Sequence, residues 1–209
     1  MAQPFGRYLD LPQHRVVLGV SQSGKTTFAW ALARSARRVV VFDPTGDYEA
    51  LARHARVVTP PELEDRAILA QNEHPVRVIV RAGRDPEYDI SDEFVYVYAR
   101  CRDARDLVFV ADEVSLYKSG KALRALCSLH MNGHKWGIVS ILVAQRAVGV
   151  PLDCRANCTH VHSFLQESKE DLDELRAQYD PSHPGFGDAV RDWKPGEPPV
   201  TWRRRTLYR

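Results

Sequence analysis

Gly19-Val20-Ser21-Gln22-Ser23-Gly24-Lys25-Thr26, entered from Arg15-Val16-Val17-Leu18 and left through Thr27-Phe28-Ala29-Trp30, is the stretch that decides the fold. A β-branched run stops at a glycine, and the spacing then matches G-x-x-x-x-G-K-[ST] at every fixed position. The two glycines let the backbone curl so that successive N–H groups point inward at phosphate oxygens. Lys25 is placed to reach the β- and γ-phosphates and Thr26 to set a hydroxyl on Mg²⁺. A helix opening near Lys25 adds its positive N-terminal dipole. The expected phosphate-binding set is Gly19, Ser21, Gln22, Ser23, Gly24, Lys25, Thr26 and Thr27, with ATP and Mg²⁺ as ligands. A chance match in a glycine turn would lack the strand before it and the helix after it. Here both stand in place.

Outward from this loop, short β-branched runs alternate with helical stretches. Arg15 to Val20 reads as a strand and Lys25 to Ala36 as a helix. Arg38 to Phe42 is a nearly continuous apolar strand closed by Asp43-Pro44-Thr45-Gly46, which is turn chemistry. Arg56 to Thr59 and Val76 to Arg81 are strands, with a helix from about Pro61 to Gln71 between them. Ser91 is the expected N-cap of a helix running to about Asp103. Leu107 to Ala111 and Ile138 to Ala144 are apolar strands separated by a helix around Lys121 to Met131. Val161 to Leu165 is a further strand candidate, and Lys169 to Tyr179 a helix. Continuous apolar strands suit a parallel sheet covered on both faces, and their alternation with helices implies βαβ crossovers and an α/β fold. Beyond Pro181 prolines, glycine and tryptophan dominate, so residues 1–180 read as the core and 181–209 as a Pro/Arg-rich extension packed on it. Val200 to Tyr208 is its edge strand or tail.

An Mg²⁺·nucleotide site needs an acidic group on a neighbouring strand. Asp112, directly after Leu107 to Ala111, has that form, and Glu113 follows it. The pair divides the work: Asp112 towards the metal, Glu113 towards an attacking water. Asp43, also at a strand end, is the rival carboxylate, though its Pro-Thr-Gly context suits a turn. Gln145, closing the strand Ile138 to Ala144, is placed to sense the γ-phosphate or orient the water.

The bulk composition is that of a globular chain: 209 residues, 44% hydrophobic, 27% charged, formal net charge +2. That charge does not announce a nucleic-acid binder. No apolar run approaches the ~20 residues of a membrane span, and Met1 to Asp10 lacks a signal-peptide pattern. The expectation is an intracellular chain with its four cysteines reduced. Cys154, Cys158, His160 and His162 form a C-x3-C-x-H-x-H cluster of zinc-ligand types, at a spacing that matches no standard finger and equally fits a half-buried strand. His130 and His134 lie four apart without the glutamate that metalloprotease chemistry requires. Arg203-Arg204-Arg205 reads either as a phosphate or partner contact or as a solvated edge strand. Arg34, Arg37 and Arg38 read as phosphate contacts or as a helix C-terminal turn.

Together these segments resemble the FtsK–HerA superfamily of DNA-pumping ATPases. The matching segments are Gly19 to Thr27, Phe42 to Tyr48, Val110-Ala111-Asp112-Glu113, and Gly137-Ile138 to Ala144-Gln145-Arg146. Arg155 to Cys158, Phe164, Asp171 and Leu172 then follow in the superfamily's order. The resemblance covers about Arg15 to Arg176. The small size is most similar to the genome-packaging ATPases of tailless, membrane-containing icosahedral viruses. The resemblance implies a pentameric or hexameric ring threading double-stranded DNA into a preformed capsid. It would act with capsid or vertex proteins, in the host cytoplasm or at the packaging vertex. There are two departures. Ala147 stands where relatives often carry a proline. His134 stands where relatives commonly carry an arginine that reaches a neighbouring subunit's γ-phosphate. Lys135 or Arg146 is then the trans-acting cation, with Arg81, Arg84, Arg102 and Arg105 as further candidates. Two other readings stay open on the sequence: a small-molecule kinase of the nucleoside or nucleotide type, and a nucleotide-dependent phage assembly or extrusion factor without DNA as cargo.

Overall fold

The computed structural model describes residues 14–65, 67–70, 76–83 and 90–204. The chain runs β1 (Arg15–Leu18), α1 (Lys25–Ala33), β2 (Arg38–Asp43), β3 (Arg56–Val58), α2 (Ala67–Ala70), β4 (Val76–Arg81), α3 (Ile90–Ala104) and β5 (Leu107–Ala111). It continues α4 (Gly120–Asn132), β6 (Ile138–Ala144), α5 (Leu152–Asn157), β7 (His160–Ser163), α6 (Lys169–Tyr179), α7 (Phe186–Arg191) and β8 (Val200–Arg203). The strands form one sheet in the order β3-β4-β2-β5-β6-β1-β7-β8. Every pairing is parallel except β7 with β8.

The apolar runs are explained by two-sided burial. All five residues of β5 and all seven of β6 are buried. Side chains alternate across the sheet, so Val16 and Leu18 of β1 join one core while Val17 joins the other. The first core is covered by α3, α4, α5, α6 and α7 through residues such as Phe94, Leu126, Cys154, Leu175 and Phe186. The second lies under α1, whose Ala29 and Ala33 approach the strands closely, together with Tyr48 and Trp193. The residues after 180 belong to both layers: Trp202 packs against Tyr179 (ring centroids 4.8 Å) and Trp193 against Phe164 (5.3 Å). The extension thus closes the sheet with β8 as its edge strand.

Three local expectations differ from the structure. The helix expected over Pro61 to Gln71 is a 3-10 turn over Pro60–Glu64 followed by the four-residue α2. Two prolines and a Thr59/Glu62 capping box mark the start of that turn; Gln71 lies outside the described residues. The helices α5 and α7 were not anticipated, because each is six residues long and carries too little periodicity to register. Ser91 lies inside the first turn of α3, and its hydroxyl accepts from the N–H groups of Lys118 and Ser119 (3.2 and 3.3 Å), tying α3 to the entry of α4.

Among the described residues no helix is long and apolar enough to cross a membrane.

Candidate active site

In a parallel sheet the functional crevice lies beyond the C-terminal strand ends, and β1, β5 and β6 deliver their following residues to that edge side by side. The loop after β1 is shaped as its glycines require. A Cβ on Gly19 would stand 2.7 Å from both Phe164 Cβ and Ser23 Oγ, and Gly24 is left-handed at φ +94. Gln22 also has positive φ. The Val20 N–H donates to the Leu165 carbonyl at 3.1 Å, and the Lys25 ammonium donates to the Val20 carbonyl at 2.8 Å. Lys25 therefore folds back across its own loop, where a phosphate would compete with the carbonyl for its protons. Ser21, Gln22, Gly24 and Thr27 are exposed, Ser23 and Thr26 half-buried. Most residues of the loop are thus accessible, while Lys25 is buried.

Opposite the lysine stands a crowd of carboxylates. Asp112 is only 4% exposed, and burial, helped by the charges of Asp43, Glu113 and Asp47, pushes its carboxyl up to about 7. Burial lowers the Lys25 ammonium, against the opposing pull of Glu113, Asp112 and Asp47. Lys25 and Asp112 are thus within electrostatic reach, on one edge of the sheet. Glu113 is held at a left-handed φ of 45. One of its carboxylate oxygens accepts from Ser115 Oγ at 2.6 Å and the other from the Gln145 amide at 3.2 Å. The glutamate and glutamine expected to handle water are hydrogen-bonded to each other. Gln145 is itself fixed through its carbonyl, which accepts from buried Gln166 at 3.0 Å.

Asp43, the rival carboxylate, has another occupation. Fully buried, it accepts from the N–H groups of Gly46 (2.6 Å) and Tyr48 (3.2 Å), and the Arg81 guanidinium lies 3.7 Å away. It builds the turn after β2, as its Pro-Thr-Gly context suggested. Gly46 is obligatory there: at φ +88 a Cβ would fall inside the Arg81 guanidinium. The turn presents Thr45, whose hydroxyl lies 3.3 Å from Asp43, 3.1 Å from Asp47 and 3.4 Å from Asp112. Thr45, Asp47, Ser115 and Gln166 were missed in the sequence. The Asp-x-x-Gly spacing, the matching segment Phe42 to Tyr48 and the place of Ser115 two residues after Glu113 were local signals, whereas Gln166 meets the Gln145 carbonyl only through the fold.

The two cation candidates part company. Arg146 follows Gln145 but is engaged by its own chain: it donates to Asp171 (2.9 Å), Glu170 (2.7 Å) and Ser168 (3.2 Å). Buried Asp171 also accepts from the Val148 N–H at 3.0 Å, so the segment after β6 is pinned to α6. Lys135 is exposed in the 3-10 turn Gly133–Trp136 that precedes β6. It lies at the opposite end of a seven-residue strand, roughly 20 Å from Gln145 by strand rise. Arg102 and Arg105 share that far end, in the wall of a cleft of ≈ 590 Å³ with Trp136. Arg81 is committed to the β2 turn, and Arg84 lies outside the described residues.

The Cys/His cluster disperses. Cys154 Sγ lies 3.6 Å from Cys127 Sγ, Cys158 Sγ donates to the Arg155 carbonyl, and His162 contacts Arg15 (3.0 Å) and Thr201 (2.9 Å). Among the described residues no three His, Cys, Asp or Glu side chains are grouped to hold a metal. Arg203 is exposed on β8, and Arg204 donates to the Ala156 carbonyl at 2.6 Å; Arg205 is outside the described residues. Arg38 donates to the carbonyls of Ala104, Arg105 and Leu69, and is structural.

This fold recurs among solved structures. The genome packaging NTPase B204 from Sulfolobus turreted icosahedral virus 2, in complex with AMPPCP, superposes with a TM-score of 0.65 at 15% identity, over 88% of each chain. The chain shares the fold of that NTPase, a mostly parallel sheet flanked by helices. B204 from Sulfolobus Turreted Icosahedral Virus, described as a DNA-packaging ATPase, gives 0.62 at 16% identity over 90% of each chain. VirB4 of Thermoanaerobacter pseudethanolicus gives 0.66 at 11% identity, over 93% of this chain and 89% of that one. No protein-family model matches the sequence, and a search of curated proteins finds no match.

Proposed function

We propose that this chain is an Mg²⁺-dependent ATPase motor that moves double-stranded DNA, with packaging of a viral genome into a preformed capsid as its specific form. The observation that carries the reading is the meeting, on one sheet edge, of Lys25 in its curled loop with Asp112, Glu113 and Gln145. The donor set fits the implied groups. The loop N–H groups and Lys25 hold the phosphates, while the Thr26 hydroxyl and Asp112 carboxylate are hard oxygen ligands of the kind Mg²⁺ takes. When bound, Mg²⁺ supplies charge neutralisation at the phosphates. Glu113 takes the proton of the attacking water, and Gln145 orients both the glutamate and the water. Gln166 and the Arg146–Asp171 pair keep Gln145 in place.

A hydrolysing site gains from a cation delivered by a neighbouring subunit, and two features support a head-to-tail ring. Arg146 is already paired within its own chain, whereas Lys135 lies too far along β6 to serve its own phosphate loop. Lys135, with Arg102 and Arg105 on the same end, is then the group offered to the next subunit. Titrating ATPase rate against protein concentration, with and without double-stranded DNA, tests the reading. Cooperative onset with assembly and stimulation by DNA are expected. A rate independent of DNA at every concentration would favour an assembly or extrusion factor, and a strict requirement for a small acceptor would favour a kinase.

A further inference from the structure

All four cysteines carry free thiols, and two of them meet across a helix pair. Cys127, in the second half of α4, and Cys154, in the first turn of α5, stand 27 positions apart in the chain. The Cys154 thiol donates to Cys127 Sγ at 3.6 Å. Their surroundings differ. Cys154 is fully buried in the first core, whereas Cys127 packs against that core from a half-buried position. Leu123 and Met131, one turn before and one turn after Cys127 on the same face of α4, are exposed, so solvent reaches this face of the helix. The other two thiols are held elsewhere. Cys158 Sγ donates to the Arg155 carbonyl at 2.9 Å, and Cys101 is fully buried on α3. Burial pushes the Cys158 thiol up to about 12 and holds those of Cys101 and Cys154 well above their ordinary value. These three keep their protons at neutral pH, and the thiolate is the reactive form. Cys127 is therefore the thiol that a dissolved reagent meets first.

We propose that Cys127 and Cys154 are a site of reversible oxidation: a small disulfide such as oxidised glutathione converts the pair to a disulfide that fastens α4 to α5. The Cys127 sulfur gives its proton to solvent and attacks one sulfur of the reagent. The reagent's S–S bond breaks, and one glutathione leaves as a thiolate. The Cys154 sulfur then loses its proton and attacks Cys127 Sγ, and the second glutathione departs. Two S–H groups have become one S–S bond, and the two electrons and two protons end on two glutathione thiols. The sulfurs close from 3.6 Å to about 2.05 Å, a shift that rotation about the two Cα–Cβ bonds can supply. The bond joins segments on either side of the candidate site. Helix α4 follows Glu113 through the 3-10 turn Val114–Leu116, and α5 follows Gln145 through the 3-10 turn Ala147–Gly149. The loop that the bond closes contains β6 and Gln145. Its formation does not depend on what the phosphate loop binds.

Incubating the full chain with oxidised glutathione, then alkylating it unfolded and mapping its peptides by mass spectrometry, tests the assignment. The expected result is a cross-linked Cys127–Cys154 peptide that dithiothreitol dissolves, with Cys101 and Cys158 left as free thiols. The melting temperature should rise by about 5–10 °C on oxidation, because the cross-link closes a long loop, and return on reduction. Cys154→Ser should stop the reaction at one glutathione on Cys127. The peptide map is made on the wild-type chain, so it decides the matter whether or not the serine variant folds. Four intact thiols after prolonged exposure, a glutathione that persists on wild-type Cys127 without a cross-link, or a bond from Cys154 to Cys158 would each overturn the assignment. So would a lower melting temperature in the oxidised protein.

Discussion

The two ends of the sheet bury polar groups by opposite means. At the C-terminal end Lys25 and Asp112 are buried as ionisable groups with few hydrogen bonds, beside the fully bonded Asp43. At the N-terminal end His14, Ser140 and His130 are buried together, with both imidazole Nδ1 atoms 2.8 Å from Ser140 Oγ. The Ser140 N–H also reaches His14 Nδ1, at 3.2 Å, so that nitrogen accepts and the ring is neutral. Burial drives His14 down to about 4 and His130 to about 3. The histidine end has resolved its desolvation by shedding charge. The carboxylate end cannot, because charge at Asp112 and Lys25 is what a nucleotide and its cation would use. Both rings still bury an Nε2 without a partner, so what separates the two ends is charge, kept at one and shed at the other.

The largest effect that probes this contrast lies on hydrolysis. Lys25→Ala should reduce ATP turnover to background and weaken nucleotide binding. Glu113→Gln should lower turnover by about 10²–10⁴, the usual worth of a general base, while keeping nucleotide affinity. Steady-state phosphate release with parallel nucleotide titrations checks both. Wild-type turnover in Glu113→Gln would remove the glutamate from the role of base and leave the Ser115 and Gln145 contacts as purely structural.

Next in size is a stability effect with an unusual sign. The folded-state value of Asp112, about 7, stands above its ordinary value near 4. The unfolded chain therefore releases this proton more readily, and stability falls as pH rises from about 4 to about 7. Above that range the charged form costs on the order of 2–4 kcal/mol. Asp112→Asn should thus raise the melting temperature of the nucleotide-free protein at pH 8 by about 5 °C or more, and lose that advantage near pH 4, while abolishing hydrolysis. Equal melting curves at both pH values would mean that Asp112 carries no desolvation cost, and the contrast between the ends would fail on this side.

The histidine end predicts the reverse slope. His14 and His130 lie below their unfolded value near 6.5, so the unfolded chain takes up protons first as the pH falls. Stability from these rings is full above pH 6.5 and is lost on the way down to about 4. The loss is on the order of 2–4 kcal/mol for each ring. Imidazole titration by NMR, with urea melts at pH 7 and pH 5, reads this directly. Rings that titrated near 6.5 in the folded protein would show that their burial is not sensed as desolvation.

What was legible in the sequence follows the same division. The loop from Gly19 to Thr27, the strand ending at Asp112 and the strand ending at Gln145 each carry their chemistry in consecutive residues, so spacing alone locates them. The sheet's parallel core was legible for a related reason: β5 and β6 are apolar throughout because both faces are covered. The His14–Ser140–His130 cluster was not legible, because it joins residues 126 and 10 positions apart. Thr45 and Gln166 were hidden likewise, since Thr45 meets Asp112 and Gln166 the Gln145 carbonyl only in the fold. Arg146 shows the limit from the other side. Its position beside Gln145 suggested a trans-acting cation, and only the fold brings Asp171 of α6 against it.

The smallest effect tests whether everything at the C-terminal end is chemistry. Ser119 caps α4 there, its hydroxyl accepting from the Ala122 N–H at 3.1 Å, and Ser91 of α3 accepts from the N–H groups of Lys118 and Ser119 beside it. Like the contacts of the histidine end, these join neutral groups. Ser119→Ala should cost about 1 kcal/mol, lowering the melting temperature by about 2–4 °C without changing turnover per folded molecule. If turnover fell in step with stability, the 3-10 turn Val114–Leu116 that links Glu113 to α4 would be transmitting the position of that helix to the base. The boundary between site and scaffold would then run through α4 rather than in front of it.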